Sequence, residues 1–478
     1  MKRRREHFRI TKYARRYDRK TERFIINIEY ETATEITPRT IGVAEAFGLG
    51  IDQHERFVVY DDVELKIGPK DIVYITGDSG SGKSVLLRAV KRDLCGEALD
   101  MTDIQVDPDK PLIDTVGKTL SEGLEFLSRA GLNDAFLFVR RYRELSDGQK
   151  YRYKIAKLME SGRQWWIADE FCSTLDRDTA KIVAFNMQKL ARKSGKAVIV
   201  ATTHTDLLQD LKPSVHIHKR FGKEIQVRYF PNKVNMECSL SREIRIEEGN
   251  RADYEVLAGF HYRSHRVGVA RKIFKATRGE EVCGVIVYAY PPATCFGRRR
   301  VLPKMSIREL NQKLSLIMRV VVHPKYRTIG LGQRLIRETL PRAGTPFVEM
   351  IAVMAKYNPF AERAGMTRIA EQPPSREALK IAETLRQLGF NLTFLGSKKY
   401  VLNQLASLKP ENLKEVRQAF KENIHLRFMK EFFSHKPYGK AKLFKERVDM
   451  ADFGKLAKLI KIVGMLLQTK VYLFWRSL

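Results

Sequence analysis

Two short stretches of this sequence carry glycines spaced so that backbone N–H groups can turn toward phosphate oxygens. The first, residues 77–84, reads G-D-S-G-S-G-K-S and comprises Gly77, Asp78, Ser79, Gly80, Ser81, Gly82, Lys83 and Ser84. It follows the apolar run 71–76 (DIVYIT) and precedes the helical run 85–94. A strand, a glycine-rich turn and a helix N-terminus in that order cradle the β- and γ-phosphates of a nucleotide, since the turned N–H groups and the helix dipole both favour negative charge. Lys83 would neutralise the phosphates and Ser84 would ligate magnesium. The second stretch, residues 320–332, reads V-V-V-H-P-K-Y-R-T-I-G-L-G. Val320, Val321 and Val322 end an apolar strand, a proline marks the turn, and Arg327, Thr328, Ile329, Gly330, Leu331 and Gly332 open a helical run over 333–340. This is a pyrophosphate cradle, in which Gly330 and Gly332 permit close backbone approach.

The first cradle is followed by further matches in a fixed order. Residues 145–149 read L-S-D-G-Q, residues 165–170 (WWIADE) give an apolar strand ending in two carboxylates, and residues 173–176 read S-T-L-D. His204 stands in A-T-T-H-T-D after the apolar run 197–201, and Gln105 stands in I-Q-V-D-P-D. Together these motifs resemble the ABC-type ATPases. The resemblance implies ATP and Mg2+ as cofactors and gives each position a role suited to phosphoryl transfer, which needs positioning and charge neutralisation more than covalent help. Asp169, with Ser84 and Gln105, would hold magnesium; Glu170 would orient or deprotonate the attacking water; His204 would sense the γ-phosphate. Ser146, Gly148 and Gln149 would complete the ATP site of a second copy, so the resemblance implies a homodimer closed on ATP. Asp147 departs from the usual glycine of that loop. Phe47 is the candidate for stacking on adenine, with a core phenylalanine as the other reading.

The second cradle, with its V-x-P-x-x-R-x-x-G-x-G spacing, a further apolar strand over 347–354 and the segment 358–366 (NPFAERAGM), resembles the GNAT acetyltransferases, which bind acetyl-CoA there. The resemblance adds Asn358 to the acyl-CoA-binding residues. Such enzymes use a base to take the amine proton and often a tyrosine to protonate the leaving thiolate. Here the tyrosine's position is Ala361, leaving Tyr357 or a water to replace it. Glu349 is the candidate base, against a solvated strand carboxylate. His323 precedes a proline and reads as a turn residue.

These sites need two α/β elements to position them. Short apolar runs alternating with helical stretches from about 47 to 230 predict a parallel sheet, and apolar runs from about 244 to 369 predict a second sheet with fewer helices. The expected organisation is a basic N-terminal segment (1–45), an ABC-type ATPase domain (46–235), a GNAT-like fold (236–372) and a basic, mostly helical C-terminal region (373–478). Helices are predicted over 377–388 and 412–432, and residues 455–478 are expected to pack on the rest of the protein. The combination resembles a mainly archaeal group in which an ABC-type ATPase is joined to a GNAT-type domain.

The chain has 478 residues, 87 Lys plus Arg against 56 Asp plus Glu, and a formal charge of +31. Residues 1–24 hold 11 cations against 3 anions and residues 373–478 hold 21 against 9, so much of the excess lies at the ends. That points to a polyanionic partner, nucleic acid or an acidic membrane surface. Segments 260–275 and 297–304 interleave aromatics with Arg and Lys and are expected to flank the second site, a mixture suited to phosphate contacts with base stacking, against a merely solvated basic face. The likeness to tRNA acetyltransferases that join a helicase to a GNAT module implies RNA ahead of DNA. The five scattered cysteines suggest neither disulfides nor zinc, and the lack of a long apolar run points to the cytoplasm, without an integral membrane partner. The sequence therefore reads as an ATP-dependent acyltransferase modifying nucleic acid, RNA or tRNA above all. The alternative is a nucleic-acid- or ribosome-binding ABC ATPase with a CoA-sensing, non-catalytic GNAT fold.

Overall fold

The computed structural model describes residues 8–32, 36–50, 55–94, 96–132, 135–261, 267–353, 359–433 and 439–477. The described strands fall into three sheets. The first is antiparallel, β1 (Phe8–Asp18), β2 (Arg23–Thr32) and β3 (Glu55–Lys66), in that spatial order. Strand β2 turns Phe24, Ile26 and Ile28 inward, the period-two pattern of a half-buried strand, while Ile25 between them stays partly exposed. These three side chains share one buried cluster with Val73, Ile75, Leu86, Val90 and Trp165. The boundary expected at residue 45 is therefore corrected: much of the N-terminal segment is packed into the nucleotide domain, because its alternating apolar residues cover one face of the central sheet.

That central sheet contains β4 (Ile72–Gly77), β5 (Ala98–Asp100), β6 (Trp165–Ala168), β7 (Ala197–Ala201), β8 (Val215–Lys219) and β9 (Ile225–Tyr229), ordered β5-β6-β7-β4-β8-β9. All neighbours are parallel except β8 and β9. Strands β4, β6 and β7 are buried throughout, as their unbroken apolar runs require of strands covered on both faces. Because β7 lies between β6 and β4, the carboxyl ends of all three are adjacent. In an open α/β sheet that is where a ligand crevice forms. The opposite face of the sheet is covered by helices including Leu120–Arg129, Asp147–Glu160 and Arg177–Ser194.

The third sheet contains β10 (Arg245–Gly249), β11 (Ala270–Arg278), β12 (Glu281–Ala289), β13 (Leu314–Val322), β14 (Phe347–Ala352), β15 (Thr367–Gln372) and β16 (Lys470–Arg476), ordered β10-β11-β12-β13-β14-β16-β15. Segment 260–275, expected to flank the second site, runs into strand β11; its residues 262–266 lie outside the described set. The chain divides into two compact units. One comprises Met1–Gly268, Lys272–Val287 and Arg319–Leu335; the other comprises Val269–Arg271, Tyr288–Met318 and Ile336–Leu478.

In the second unit the expected boundary at residue 372 fails. Strand β16 comes from the far C-terminus, yet it lies antiparallel between β14 and β15, with Met350 opposite Leu473 and Thr367 opposite Phe474. Val471, Tyr472 and Leu473 are fully buried. Residues 373–469 are thus an insertion between two neighbouring strands. Five of its helices, Arg376–Gln387, Lys398–Ser407, Pro410–Glu422, Ala441–Asp449 and Phe453–Leu466, share a core that includes Ile381, Leu385, Phe420, Phe444 and Ile460. The helix expected over 412–432 ends at Glu422 and a short one follows at Leu426–Met429. No helix among the described residues is long and apolar enough to cross a membrane.

Truncating a side chain at the centre of β16 tests this topology. Leu473→Ala is expected to destabilise the second unit by about 2–5 kcal/mol, the cost of emptying a packed core position. Denaturant unfolding of the full chain, followed by near-UV circular dichroism, measures it. An unchanged midpoint would mean that the C-terminal strand is not part of the sheet.

Candidate functional site

The phosphate loop is shaped by close backbone approach. Gly77 ends β4 with a φ of 144°, and a Cβ there would lie 2.0 Å from the Lys219 carbonyl oxygen at the end of β8. Gly82 has a φ of 101°, and a Cβ there would lie 2.6 Å from Val59 of β3. Neither position admits a side chain. Gly82 is also the N-cap of helix Lys83–Asp93 and makes no side-chain cap, so the first turn offers its N–H groups to an anion. Tyr60 of β3 fixes the loop from below, donating its hydroxyl to the Gly82 carbonyl at 2.9 Å.

Lys83 is 8% exposed, and its Nζ donates to the carbonyls of Gly77 at 2.8 Å and Asp78 at 2.5 Å. Burial pushes its pKa down, against the pull of Asp78 and Asp169. The Ser81 hydroxyl is buried without a protein partner. A buried cation held only by carbonyls and a buried hydroxyl without a partner both fit an incoming phosphate. The adjoining cavity, of about 380 Å3, is lined by Ser79, Gly80, Gly82, Lys83, Ser84, Asp169, Glu170, Ser173 and Thr202, among others.

The two carboxylates follow β6. Glu170 is exposed and adopts a φ of 47°, a conformation that a non-glycine side chain rarely takes, and its N–H donates to the Asp169 carboxylate at 2.9 Å. The Phe171 N–H donates to the Ala201 carbonyl at 2.7 Å, tying this turn to the end of β7. Strain of this kind persists where surrounding structure enforces it, and here it turns Glu170 into the cavity. Ser173 and Asp176 follow, and Asp176 caps helix Arg177–Ser194 through the Thr179 N–H.

The remaining residues expected at the ATP site stand farther out. His204 follows the cavity-lining Thr202 and Thr203; its carbonyl accepts the Tyr74 hydroxyl at 2.5 Å and its N–H donates to Thr202 Oγ1 at 3.3 Å. Ser146 and Gln149 form a capping box at the start of helix Asp147–Glu160, with Gly148 beside them; none of the three lines the cavity. Gln105 is exposed, donating to the Asp103 carbonyl, and is likewise absent from the lining. Phe47 ends helix Pro38–Phe47 and is 77% exposed, which removes the core reading. Neither Tyr60 nor Lys219 was among the expected site residues. Their contacts with the loop depend on strands that pair only in the fold.

Comparison with known proteins shows the family. No protein-family model matches the chain. The cytochrome c biogenesis ATP-binding export protein CcmA of Gluconobacter oxydans is 32% identical over 170 residues, spanning 32% of this chain and 77% of that protein. The chain belongs to the ATP-binding cassette ATPases. CcmA of Ruegeria sp. is 31% identical over 160 residues, covering 30% of this chain and 77% of that protein. The methionine import ATP-binding protein MetN of Corynebacterium diphtheriae is 27% identical over 220 residues, and there the match spans 39% of this chain and 64% of the relative. Among solved structures, a dimeric post-hydrolysis state of an ATP-binding cassette with ADP and phosphate covers 37% of this chain at 20% identity, with a TM-score of 0.31.

ABC cassettes use ATP and Mg2+, and the residues present fit both. The loop N–H groups and Lys83 would bind the phosphates; the Ser84 hydroxyl and Asp169 would hold the metal, which supplies charge neutralisation at the transferred phosphoryl group. Glu170 would orient the attacking water.

The second cradle is formed as a turn between β13 and helix Leu331–Thr339. Val321 is buried, Val320 and Val322 partly so, and Arg327 folds back so that its Nε donates to the Val322 carbonyl at 3.3 Å. Thr328 has a φ of 78° and Gly330 a φ of 86°. Ile329 and Leu331 point into the core, and Gly332 lies inside the helix. His323 accepts the Lys325 N–H, a turn role. Tyr357 and Asn358 lie outside the described residues.

Glu349 requires correction as the candidate base. It is fully buried, and its carboxylate receives two hydrogen bonds from Arg298, at 2.7 and 2.9 Å, and one from the Tyr472 hydroxyl at 3.0 Å. The carboxylate raises the pKa of each neighbour: Arg298 against the effect of its burial, and Tyr472 in addition to it. Its role is to hold the 292–298 segment, since Arg298 also donates to the carbonyls of Pro292 and Ala293.

Two outcomes follow. Glu170→Gln is expected to keep ATP binding while lowering hydrolysis by about 10²-fold or more, measured by phosphate release; undiminished turnover would remove Glu170 from the reaction. Glu349→Ala is expected to cost about 3–5 kcal/mol by stranding Arg298 in the interior, read by denaturant unfolding. A variant of native stability would return Glu349 to the list of candidate bases.

Proposed function

We propose that this protein is an ATP-dependent acyltransferase that takes its acyl group from acetyl-CoA and modifies a nucleic acid, RNA in preference to DNA. The observation that carries the reading is the second strand–turn–helix cradle at residues 320–332, present in the same chain as an ATP-binding cassette. Its positive-φ positions at Thr328 and Gly330 shape the turn, and a helix N-terminus follows. The cationic excess supports a polyanionic substrate, since two nucleotide cofactors need only a few local cations. In this reading two copies close on ATP, with Ser146, Gly148 and Gln149 of each completing the other's site, and closure presents the polynucleotide to the acyl donor. Tyr357 remains the proposed acid.

A second reading has a specific observation in its favour. Ala361 occupies the position where the acid tyrosine is expected, and Glu349 is engaged by Arg298. A cassette that grips RNA or a ribosome, and in which CoA is only sensed, needs neither group. The export and import functions named for the relatives belong to those proteins, whose matches span 30% to 39% of this chain.

Incubation with radiolabelled acetyl-CoA, ATP-Mg2+ and total cellular RNA or DNA separates the readings. Label in RNA nucleosides is expected. Label confined to protein would overturn the nucleic-acid acceptor, and CoA binding without any transfer would leave the sensing role.

A further inference from the structure

The turn at residues 324–330 is held from behind by the ATPase itself. Arg152 lies on helix Asp147–Glu160, the helix capped by Ser146, and is only 5% exposed. Its guanidinium donates to the carbonyls of Pro324 at 2.9 Å and Lys325 at 3.1 Å. No carboxylate forms an ion pair with it among the described residues; burial and the nearby Arg327 charge lower its pKa to about 10, opposed by Asp176. Lys189, on helix Arg177–Ser194, donates to the Thr328 carbonyl at 2.6 Å. Asp178, in the first turn of that helix, pairs with Lys325 at 2.8 Å and with Arg278 of β11 at 2.7 Å. Asp176, the helix cap, lies 3.9 Å from Lys325. Gly131 completes the contact, for a Cβ there would lie 2.8 Å from Thr328 Cγ2.

These attachments are selective in origin. One comes from the helix that opens at the Ser146 loop and the others from the helix capped by the last residue of the S-T-L-D segment. The first of these helices begins at Ser146, a residue assigned to the closed ATP dimer. All the bonds reach the turn through carbonyls and the Lys325 side chain, while the N–H groups of Lys325, Tyr326 and Arg327 are satisfied within the turn by His323 and Pro324. A buried guanidinium satisfied by two loop carbonyls is costly to displace, because either group would be left unpaired. The helices and the turn therefore move together or not at all.

We propose that the 324–330 turn is a coupling element, so that ATP binding at the cassette and CoA binding at the turn alter each other's affinity, with Arg152, Lys189 and Asp178 as positioning residues. The proposal rests on the reading that CoA binds this turn. Binding free energies couple reciprocally, so an ATP-induced change in CoA affinity implies the same factor in the other direction.

Calorimetric titration of CoA into the full-length Glu170→Gln protein, with and without ATP-Mg2+, measures the coupling. A change in affinity of about fivefold or more is expected, falling toward unity in Lys189→Ala and in Arg152→Lys. Lys189→Ala removes a single bond to a carbonyl and keeps the test valid where Arg152 variants fold poorly. Hydrogen exchange at residues 324–331, with and without ATP-Mg2+, supplies a readout independent of CoA. Equal CoA affinity in both states would overturn the coupling. Absence of CoA binding alongside an ATP-dependent change in exchange would overturn the acyl-CoA reading and leave the mechanical link standing. No response in either measurement would overturn both.

Discussion

The cassette is organised around one buried cation that backbone carbonyls, not carboxylates, hold in place. Lys83 sits between the Gly77 and Asp78 carbonyls at the end of β4. That position exists only because Gly77 lies against the Lys219 carbonyl and Gly82 against Val59, contacts that exclude any side chain. The first sheet supplies Val59 and Tyr60, β8 supplies Lys219, and β6 and β7 bring Glu170 and Thr202 to the same edge. A cation held this way keeps its charge available to an anion, whereas a carboxylate partner would cancel it.

The same solution recurs away from the nucleotide. Lys219 is buried and donates to the carbonyls of Arg220 and Gly222, and its ammonium lies 5.2 Å from the Tyr60 ring centroid. Arg417 closes the end of helix Ala441–Asp449 by donating to the carbonyls of Val448, Asp449 and Ala451. Arg152 does so at the 324–325 turn. Four cationic side chains are buried among the described residues, and three of them, Lys83, Arg152 and Lys219, are held by carbonyls. Helix ends and turns have spare carbonyls, so they take that role. The exception is Arg298, whose bidentate pairing with Glu349 is wholly internal and is completed by Tyr472 from the C-terminal strand.

What the sequence made legible follows from this distinction. The two cradles are contiguous, each a strand, turn and helix within about twenty residues, so their glycines and Lys83 could be read directly. Glu349 could not, because its fate depends on Arg298 and Tyr472, both distant in sequence. Strand β16 was hidden for the same reason. Residues 470–476 (KVYLFWR) have strong strand character, but nothing local reveals that they enter a sheet whose neighbouring strand ended about a hundred residues earlier. The N-terminal segment was set apart by its charge, although the apolar side of β2 had already committed it to the core.

These corrections alter how the cationic excess should be understood. Charge concentrated in residues 1–24 and 373–478 marked a basic N-terminal segment and a basic, mostly helical C-terminal region. Residues 373–469 form a helical body with its own core, so the described cations of that segment stand on an ordered surface. Ordering matters for binding a polyanion. A flexible tail loses conformational entropy whenever it is immobilised on phosphates, while a preformed basic surface has already lost that freedom in folding. Among the described ion pairs of the inserted helices are Arg386 with Glu383, Lys421 with Asp449 and Lys455 with Glu431. Exposed lysines such as Lys442, Lys445, Lys458 and Lys461 have no such partner among the described residues, and they stand at fixed spacings along helices Ala441–Asp449 and Phe453–Leu466. Their field is directed outward by a helical body that the chain enters from β15 and leaves through β16, the strand whose Tyr472 also completes the Glu349 pair.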